Sequence, residues 1–260
     1  MLDEIVAAKR QEVAAAKRRL PPEELLRRVG AYRAQRGFAE ALRGASGAPA
    51  LIAELKRRSP SKGMLRERFD PVSLAQQLQE AGASALSVLT DERFFSGCLD
   101  FLRDVHQFTE APCLRKDFIL EPYQVYEAAL YEADAVLLIV AVLSDDALRE
   151  CLQAAAHLGM DALVEVHAEP ELQRALAAGA QVIGINHRDL RTFQMHPGLT
   201  DRLIPRIPRD RLIVAESGIQ SPQDLLRLRM LGVHAVLIGE ALMIAPDVCA
   251  KVRELFTGVW

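Results

Sequence analysis

From residue 50 onward, short continuous apolar runs alternate with amphipathic stretches of helical period. The runs are LIAEL (51–55), ALSVLT (85–90), PCLRKDF (112–118), AVLLIV (135–140), ALVEV (162–166), VIGIN (182–186), LIVAES (212–217) and AVLIG (235–239). Between them the apolar spacing predicts helices over Pro71–Ala81, Leu99–Thr109, Pro122–Glu132, Asp145–Leu158, Pro170–Ala178 and Ser221–Leu231. Gly82, Gly159, Gly179 and Gly232 each stand between a helix and the next run, where a left-handed cap is needed. Runs that are apolar throughout suit a parallel sheet covered on both faces, and strand–helix alternation builds right-handed crossovers. Eight such units in roughly 200–250 residues predict an α/β chain folded as a (β/α)8 TIM barrel. A doubly wound open sheet is the structural alternative, but no run is followed by a GxGxxG fingerprint.

The pattern before residue 50 is different. Leu2, Ile5, Val6 and Val13 share one side of a helix predicted from Leu2 to Leu20, which Pro21 and Pro22 stop. A second helical piece, Glu23–Arg28, ends at Gly30. Residues 1–48 are therefore expected to be an N-terminal helical extension laid over a single barrel domain that takes in the whole chain, 1–260.

Composition narrows the partners. Half of the 260 residues are hydrophobic and 26% are charged, which is ordinary globular usage. A net charge of −3 supplies no basic field, so no nucleic-acid partner is expected. Cys98, Cys113, Cys151 and Cys249 are far apart and form no CxxC, so neither a disulfide framework nor a metal site is expected. The N-terminus has no apolar core of a signal peptide, and no run approaches the roughly 18 apolar residues of a spanning helix. The expectation is a cytoplasmic protein with no membrane partner, a monomer or weak homodimer.

In such a barrel the chemistry sits at the C-terminal ends of the strands. The first run ends in Glu54 and Lys56, two apart and so on the same side. The second ends in Thr90 and Asp91, the third carries Lys116 and Asp117, the fifth ends in Glu165, the sixth in Asn186 and Arg188, and the seventh in Glu216 and Ser217. The fourth, AVLLIV, has no ionisable residue and is expected to be an apolar wall. One reading of Glu54, Lys56, Lys116, Glu165 and Glu216 is a structural ion-pair network. The other is a site where protons are given and taken, which explains why two lysines and three carboxylates converge on one concave end. Ser217–Gly218 and Gly239–Glu240 place glycines where the seventh and eighth strands turn outward. Free backbone N–H groups there, backed by a helix dipole, can hold a phosphate. Glu240 is expected to serve through its N–H alone, with its side chain pointing away. Arg57 and Arg58 read as solvated surface, and His187 as facing away from the barrel axis. Phe94, Phe95 and Phe118 lie on loops over the mouth, where they could stack on a flat ring or pack the loop down.

ELKRRSPSKG, SVLTDERFFSG, LRKDFI, VLLIV, LVEVH, GINHRDLRTF, AESGI and LIGEALM occur in this order and together resemble the indole-3-glycerol-phosphate synthase family. The opening MLDEIVAAKRQEV is similar to that family's first helix, and the resemblance covers nearly the whole chain. It implies a phosphorylated small-molecule substrate, 1-(2-carboxyphenylamino)-1-deoxyribulose 5-phosphate, and ring closure with loss of CO2 and water. It also implies Lys116 as general acid, Glu165 as acid/base partner in the loss of water, and Lys56 paired with the substrate's phosphate or carboxylate. Glu54 would orient a lysine and a hydroxyl, and Asn186 would hold a hydroxyl or the leaving oxygen. Arg188 and Glu216 would complete the polar ring, and Ser217, Gly218, Gly239 and the Glu240 N–H would hold phosphate. Phe95, Phe118, Pro60 and Leu137 would form the slot for the anthranilate ring, with Ser59 opening a stiff loop against it and Lys62–Gly63 giving that loop charge and a hinge. No cofactor is implied, because the ring-closed intermediate carries an iminium electron sink beside the departing carboxylate. The sequence departs from the family at His187, where Asn or Ser is frequent, at Glu240 and Ala241, where some members carry a small hydroxyl residue, and at Ile244, where Arg is frequent. A rearranging isomerase of phosphoribosyl compounds would want a Cys or Asp base at the strand ends, where this chain has Glu-x-Lys. A scaffold subunit without chemistry would be expected to lack Lys116, Glu165 or Lys56, and all three are present.

Overall fold

The computed structural model describes residues 1–30, 32–34, 36–43 and 48–259. Eight parallel strands close into a barrel. They are β1 (Ala50–Leu55), β2 (Ala85–Leu89), β3 (Cys113–Lys116), β4 (Ala135–Ile139), β5 (Asp161–Val166), β6 (Val182–Asn186), β7 (Leu212–Glu216) and β8 (Ala235–Ile238). Each pairs with the next, and Ala50 of β1 lies opposite Ala235 of β8 to complete the ring.

The apolar runs are continuous because each strand feeds two cores. Alternate side chains point to opposite faces of a strand. Leu51, Ala53 and Leu55 of β1 join the layer between sheet and helices, together with Leu86, Val136 and Val164. Ala50 and Ile52 join the barrel interior with Leu114, Leu137, Leu163, Val182, Leu212 and Leu237. The same inward column continues to Glu54, Lys116 and Glu165, two residues on, and past Gly184 and Val214 to Asn186 and Glu216, four residues on. The barrel thus lifts these last interior positions of β1, β3, β5, β6 and β7 into its mouth.

Helices α1 (Leu2–Arg19), α2 (Pro22–Val29) and α3 (Phe38–Arg43) precede the barrel. The crossovers hold α4 (Pro71–Glu80), α5 (Glu92–Phe95), α6 (Leu99–Phe108), α7 (Pro122–Leu130), α8 (Asp145–His157), α9 (Glu169–Ala177), α10 (Leu199–Leu203) and α11 (Pro222–Met230), and α12 (Glu240–Met243) and α13 (Val248–Phe256) follow β8. The predicted helices all form, within two residues at each end. Local caps set several of these ends: the Asp70 carboxylate accepts Ser73 N–H at 3.1 Å, and Ser221 and Asp224 form a reciprocal capping box.

Three features differ from the sequence pattern. The run 112–118 stays in the sheet only to Lys116, because the Asp117 carboxylate accepts the Phe118 N–H at 2.8 Å and turns the chain outward. The loop after β1 folds into a small antiparallel ribbon that pairs Arg58–Ser59 with Gly63–Met64. After β6 comes a loop in which Arg188 bridges to Met195, then the short α10 and a 3₁₀ turn at Ile204–Arg206.

The extension reaches both ends of the barrel. At the C-terminal end, Lys9 of α1 meets Asp91 and Asp117, each at 2.9 Å, and Glu12 at 2.7 Å. Helix α2 packs on α7. At the N-terminal end α3 sits across the opening with Phe38 and Leu42 buried, and the Ala39 N–H donates to Asp161 at the start of β5 at 2.8 Å. Among the described residues no helix is long and apolar enough to cross a membrane.

Candidate active site

A cavity of about 280 Å³ opens at the C-terminal end of the barrel. All the residues expected to form the site line it: Glu54, Lys56, Ser59 and Pro60 after β1, Phe95, Lys116 and Phe118, Leu137, Glu165, Asn186 and Arg188, Glu216, Ser217 and Gly218, and Gly239 with Glu240.

Its centre is the Lys116 ammonium. Nζ lies 3.6 Å from Glu165, 3.8 Å from Glu216 and 4.0 Å from Glu54. These are ionic distances, too long to commit its N–H groups to any one carboxylate. Burial works against the charge, but the carboxylates, Glu165 foremost, outweigh it and raise the pKa above that of a free lysine. Glu54 also pairs with Lys56. Burial opposes the Glu54 charge as well, and Lys56 and Lys116 hold it below the usual carboxylate range.

Glu165 and Glu216 divide their protonation states. Both are fully buried, and burial favours the neutral acid in each. Lys116 and His167 keep Glu165 ionised, so the nearby Glu216, facing that charge, is pushed well above the usual range and holds the proton. Oε2 of Glu165 and Oε1 of Glu216 are buried without a well-formed hydrogen bond, while Oε1 of Glu165 faces His167 at 3.3 Å. Buried polar atoms are normally paired, so this is an arrangement that keeps acceptors in reserve for a ligand. Asn186 accepts the Arg188 N–H through Oδ1 at 3.0 Å, which leaves its NH2 group for the cavity.

Two glycines make room for these carboxylates. A methyl group at Gly239 would collide with Oε2 of Glu54, and one at Gly184 with Oε1 of Glu216. Ser217 and Gly218 both have positive φ, 67° and 77°, which turns the chain sharply out of β7. His187 holds this turn from outside the barrel. A carbonyl can only accept, so Nδ1–H donates to Ser217 O at 3.0 Å, and Nε2 accepts the Thr200 hydroxyl at 2.6 Å. Burial lowers the His187 pKa, in keeping with this neutral ring.

The apolar side is formed by Phe95 and Phe118, with ring centroids 6.1 Å apart, and by Leu137 and Ile139 of β4. Leu190, Phe193 and Met195 also line the cavity, from the loop after β6. They were not among the expected residues, because the apolar side chains in GINHRDLRTFQM follow neither a strand nor a helix period.

Three expectations are corrected. The Glu240 side chain does not point away: it lines the cavity, 3.2 Å from Arg188 and 3.9 Å from Lys62. These two cations draw it inward. Thr90 and Asp91 do not face the barrel axis, because Leu89 takes the last interior position of β2; both join Lys9, Arg115 and Asp117 beneath α1. Arg57 is half-buried with an unpaired Nε, while Arg58 is exposed as expected.

Comparison with known proteins accords with this geometry. The family profile described as indole-3-glycerol phosphate synthase matches residues 2–255. A relative of that name from Albidiferax ferrireducens is 48% identical over 258 residues, 98% of either chain. Another, from Dehalococcoides mccartyi, is 53% identical over 208 residues, 79% of this chain and 80% of its own. The structure of 3-hexulose-6-phosphate synthase from Salmonella typhimurium superposes with a TM-score of 0.64 at 14% identity, covering 79% of this chain and 96% of that one. That is a likeness of fold alone. With the profile spanning the barrel and its extension, and near-identical length in a relative sharing about half its residues, the chain belongs to the indole-3-glycerol phosphate synthase family.

Proposed function

We propose that the mouth converts 1-(2-carboxyphenylamino)-1-deoxyribulose 5-phosphate to indole-3-glycerol phosphate, CO2 and water, with Lys116 as the general acid. The observation that carries this assignment is the ammonium suspended among Glu54, Glu165 and Glu216 with no N–H committed to any of them.

The substrate's ring lies between Phe95, Phe118, Pro60 and Leu137, and its phosphate is held by the amides around Gly218 and Gly239 and the Ser217 hydroxyl. Lys56 and Arg188 attract the two anionic ends. As the ring carbon attacks the ribulose carbonyl, the oxygen becomes an alkoxide and takes a proton from Lys116. An alkoxide is a stronger base than an amine, so a lysine kept charged by its neighbours still transfers its proton downhill. The new iminium accepts the electron pair released as the carboxylate leaves as CO2. Glu165 then takes the proton from the carbon beside the hydroxyl, the released electron pair forms the indole double bond, and the hydroxyl leaves as water on a proton from Lys56, while Asn186 and Glu54 hold the oxygens in place; solvent returns the protons the lysines have given.

The test is a spectroscopic assay for the indole chromophore. The wild type is expected to produce it, and Lys116→Ala to lose on the order of 10²–10⁴ in kcat with an unchanged circular dichroism spectrum. Near-normal kcat in the variant would remove Lys116 from the role of acid.

A further inference from the structure

His167 stands just past the end of β5, one residue beyond Val166, and the scheme above gives it no task. It does not line the cavity; it lies behind Glu165 with its side chain 10% exposed. Nε2 is 3.3 Å from Oε1 of Glu165, and Nδ1 is 3.3 Å from Oε2 of Glu171. Glu171 is itself anchored in the first turn of α9, where a carboxylate is favoured, and accepts the His167 backbone N–H at 2.7 Å. A row of carboxylate, imidazole and carboxylate therefore runs from α9 to the floor of the mouth.

Ionised carboxylates only accept, so a ring with one beside each nitrogen favours hydrogen on both; Nδ1 bonds to Glu171, and Nε2 meets Glu165 at an ionic distance. Asp189, on the loop after β6, adds a third negative charge to the field around the ring. Burial works against the imidazolium, yet Glu165 and Glu171 together push its pKa up to about 10. On its far side Glu165 faces Lys116 at 3.6 Å and the protonated Glu216.

Lys116 cannot hold Glu165 ionised throughout the reaction. Once its proton has passed to the substrate oxygen, Glu165 is left facing a neutral amine with Glu54 and Glu216 close by. Resting on the acid/base role given to Glu165 above, we propose that His167 is a positioning residue: a cation behind the carboxylate that keeps Oε1 in place and Glu165 ionised after Lys116 has given up its proton.

The direction of the effect follows. Without the imidazolium, Glu165 takes up a proton more easily, so the acid limb of the kcat profile moves to higher pH. His167→Gln keeps a donor and removes the charge; it is expected to shift that limb up by about one pH unit and lower kcat about tenfold near neutrality, with KM within about twofold. His167→Lys, which restores a cation, is expected to move the limb back toward the wild type. In the wild type, the ring resonances of His167 followed by NMR are expected to remain those of an imidazolium beyond pH 8, and in Glu171→Gln to titrate at lower pH. A His167 that titrates near the ordinary histidine value of about 6.5 overturns the proposal, and this readout does not depend on any variant folding. An unmoved acid limb in His167→Gln, with Glu165→Gln inactive, overturns the role of His167 alone. Wild-type turnover by Glu165→Gln overturns the acid/base reading and this inference together.

Discussion

Gly184 sits midway along β6, opposite Glu165 of β5, and the Glu216 carboxylate occupies the space a side chain would fill. Gly184→Ala is expected to cost about 1–3 kcal/mol, as overpacked sites do, and to depress kcat by displacing Glu216; denaturant titration alongside the indole assay checks both. Glu216 makes a second prediction with a definite sign. Its folded pKa is raised by burial and by Glu165, so its contribution to stability is fully present below the ordinary glutamate value of about 4.3 and is lost as pH rises through the folded value. Glu216→Gln removes that titration. The variant is expected to melt at a higher temperature than the wild type by a margin that grows with pH across this window, and to be nearly inactive. Melting curves in a pH series decide it: a margin independent of pH would mean that Glu216 is ionised in the fold. A mouth built for proton transfer thus holds groups in states that an isolated stability argument would not choose.

At the scale of elements, α1 does more than cover the barrel. Its Lys9 is 4% exposed and reaches Asp91 and Asp117, and those carboxylates also set the two aromatic loops of the cavity. Asp91 Oδ1 accepts the Phe94 N–H at 2.8 Å and caps α5, which carries Phe95; Asp117 Oδ1 accepts the Phe118 N–H. Lys9→Met would leave both carboxylates buried without the ammonium. The expected cost is about 3–5 kcal/mol, with an increase in KM as Phe95 and Phe118 lose their fixed approach to the ring; urea midpoints and steady-state kinetics test the two effects. The network also carries a pH dependence. Burial opposes the Asp117 charge, but Lys9 and Arg115 hold its pKa below the usual range, so its stabilisation is present above the ordinary aspartate value of about 3.9 and is lost as pH falls below it. In Lys9→Met that acid-side loss should be smaller than in the wild type.

For the whole molecule, the ring of strands has no free edge, and residues 1–43 engage both of its ends through Lys9 at the mouth and Phe38, Leu42 and Ala39 at the base. Contacts that tie the extension to every layer predict one cooperative unit, not a barrel with a separate helical module. In a Tyr126→Phe/Tyr131→Phe background, which leaves Tyr32 and Tyr123 with hydroxyls bonded to Ala133 O and Leu20 O, urea transitions followed by far-ultraviolet dichroism and by tyrosine absorbance are expected to coincide. An earlier tyrosine transition would show the extension detaching first.

The order of elements was legible along the chain because strands and helices write their periods locally. So was the roster of mouth residues, because alternation along each strand puts Glu54, Lys116, Glu165, Asn186 and Glu216 on the same inward column as the apolar core. What alternation could not supply was where α1 would dock. Its partners Asp91 and Asp117 are more than 80 residues from Lys9, and Thr90 and Asp91 read as mouth residues until Leu89 is seen to take the interior place. Nor could the sequence say that Glu216 keeps its proton while Glu165 does not, or that Glu240 turns inward toward Arg188 and Lys62. Those outcomes depend on the separation of charges brought together from different strands and on how much water each has lost, and both quantities come into being only when the barrel closes.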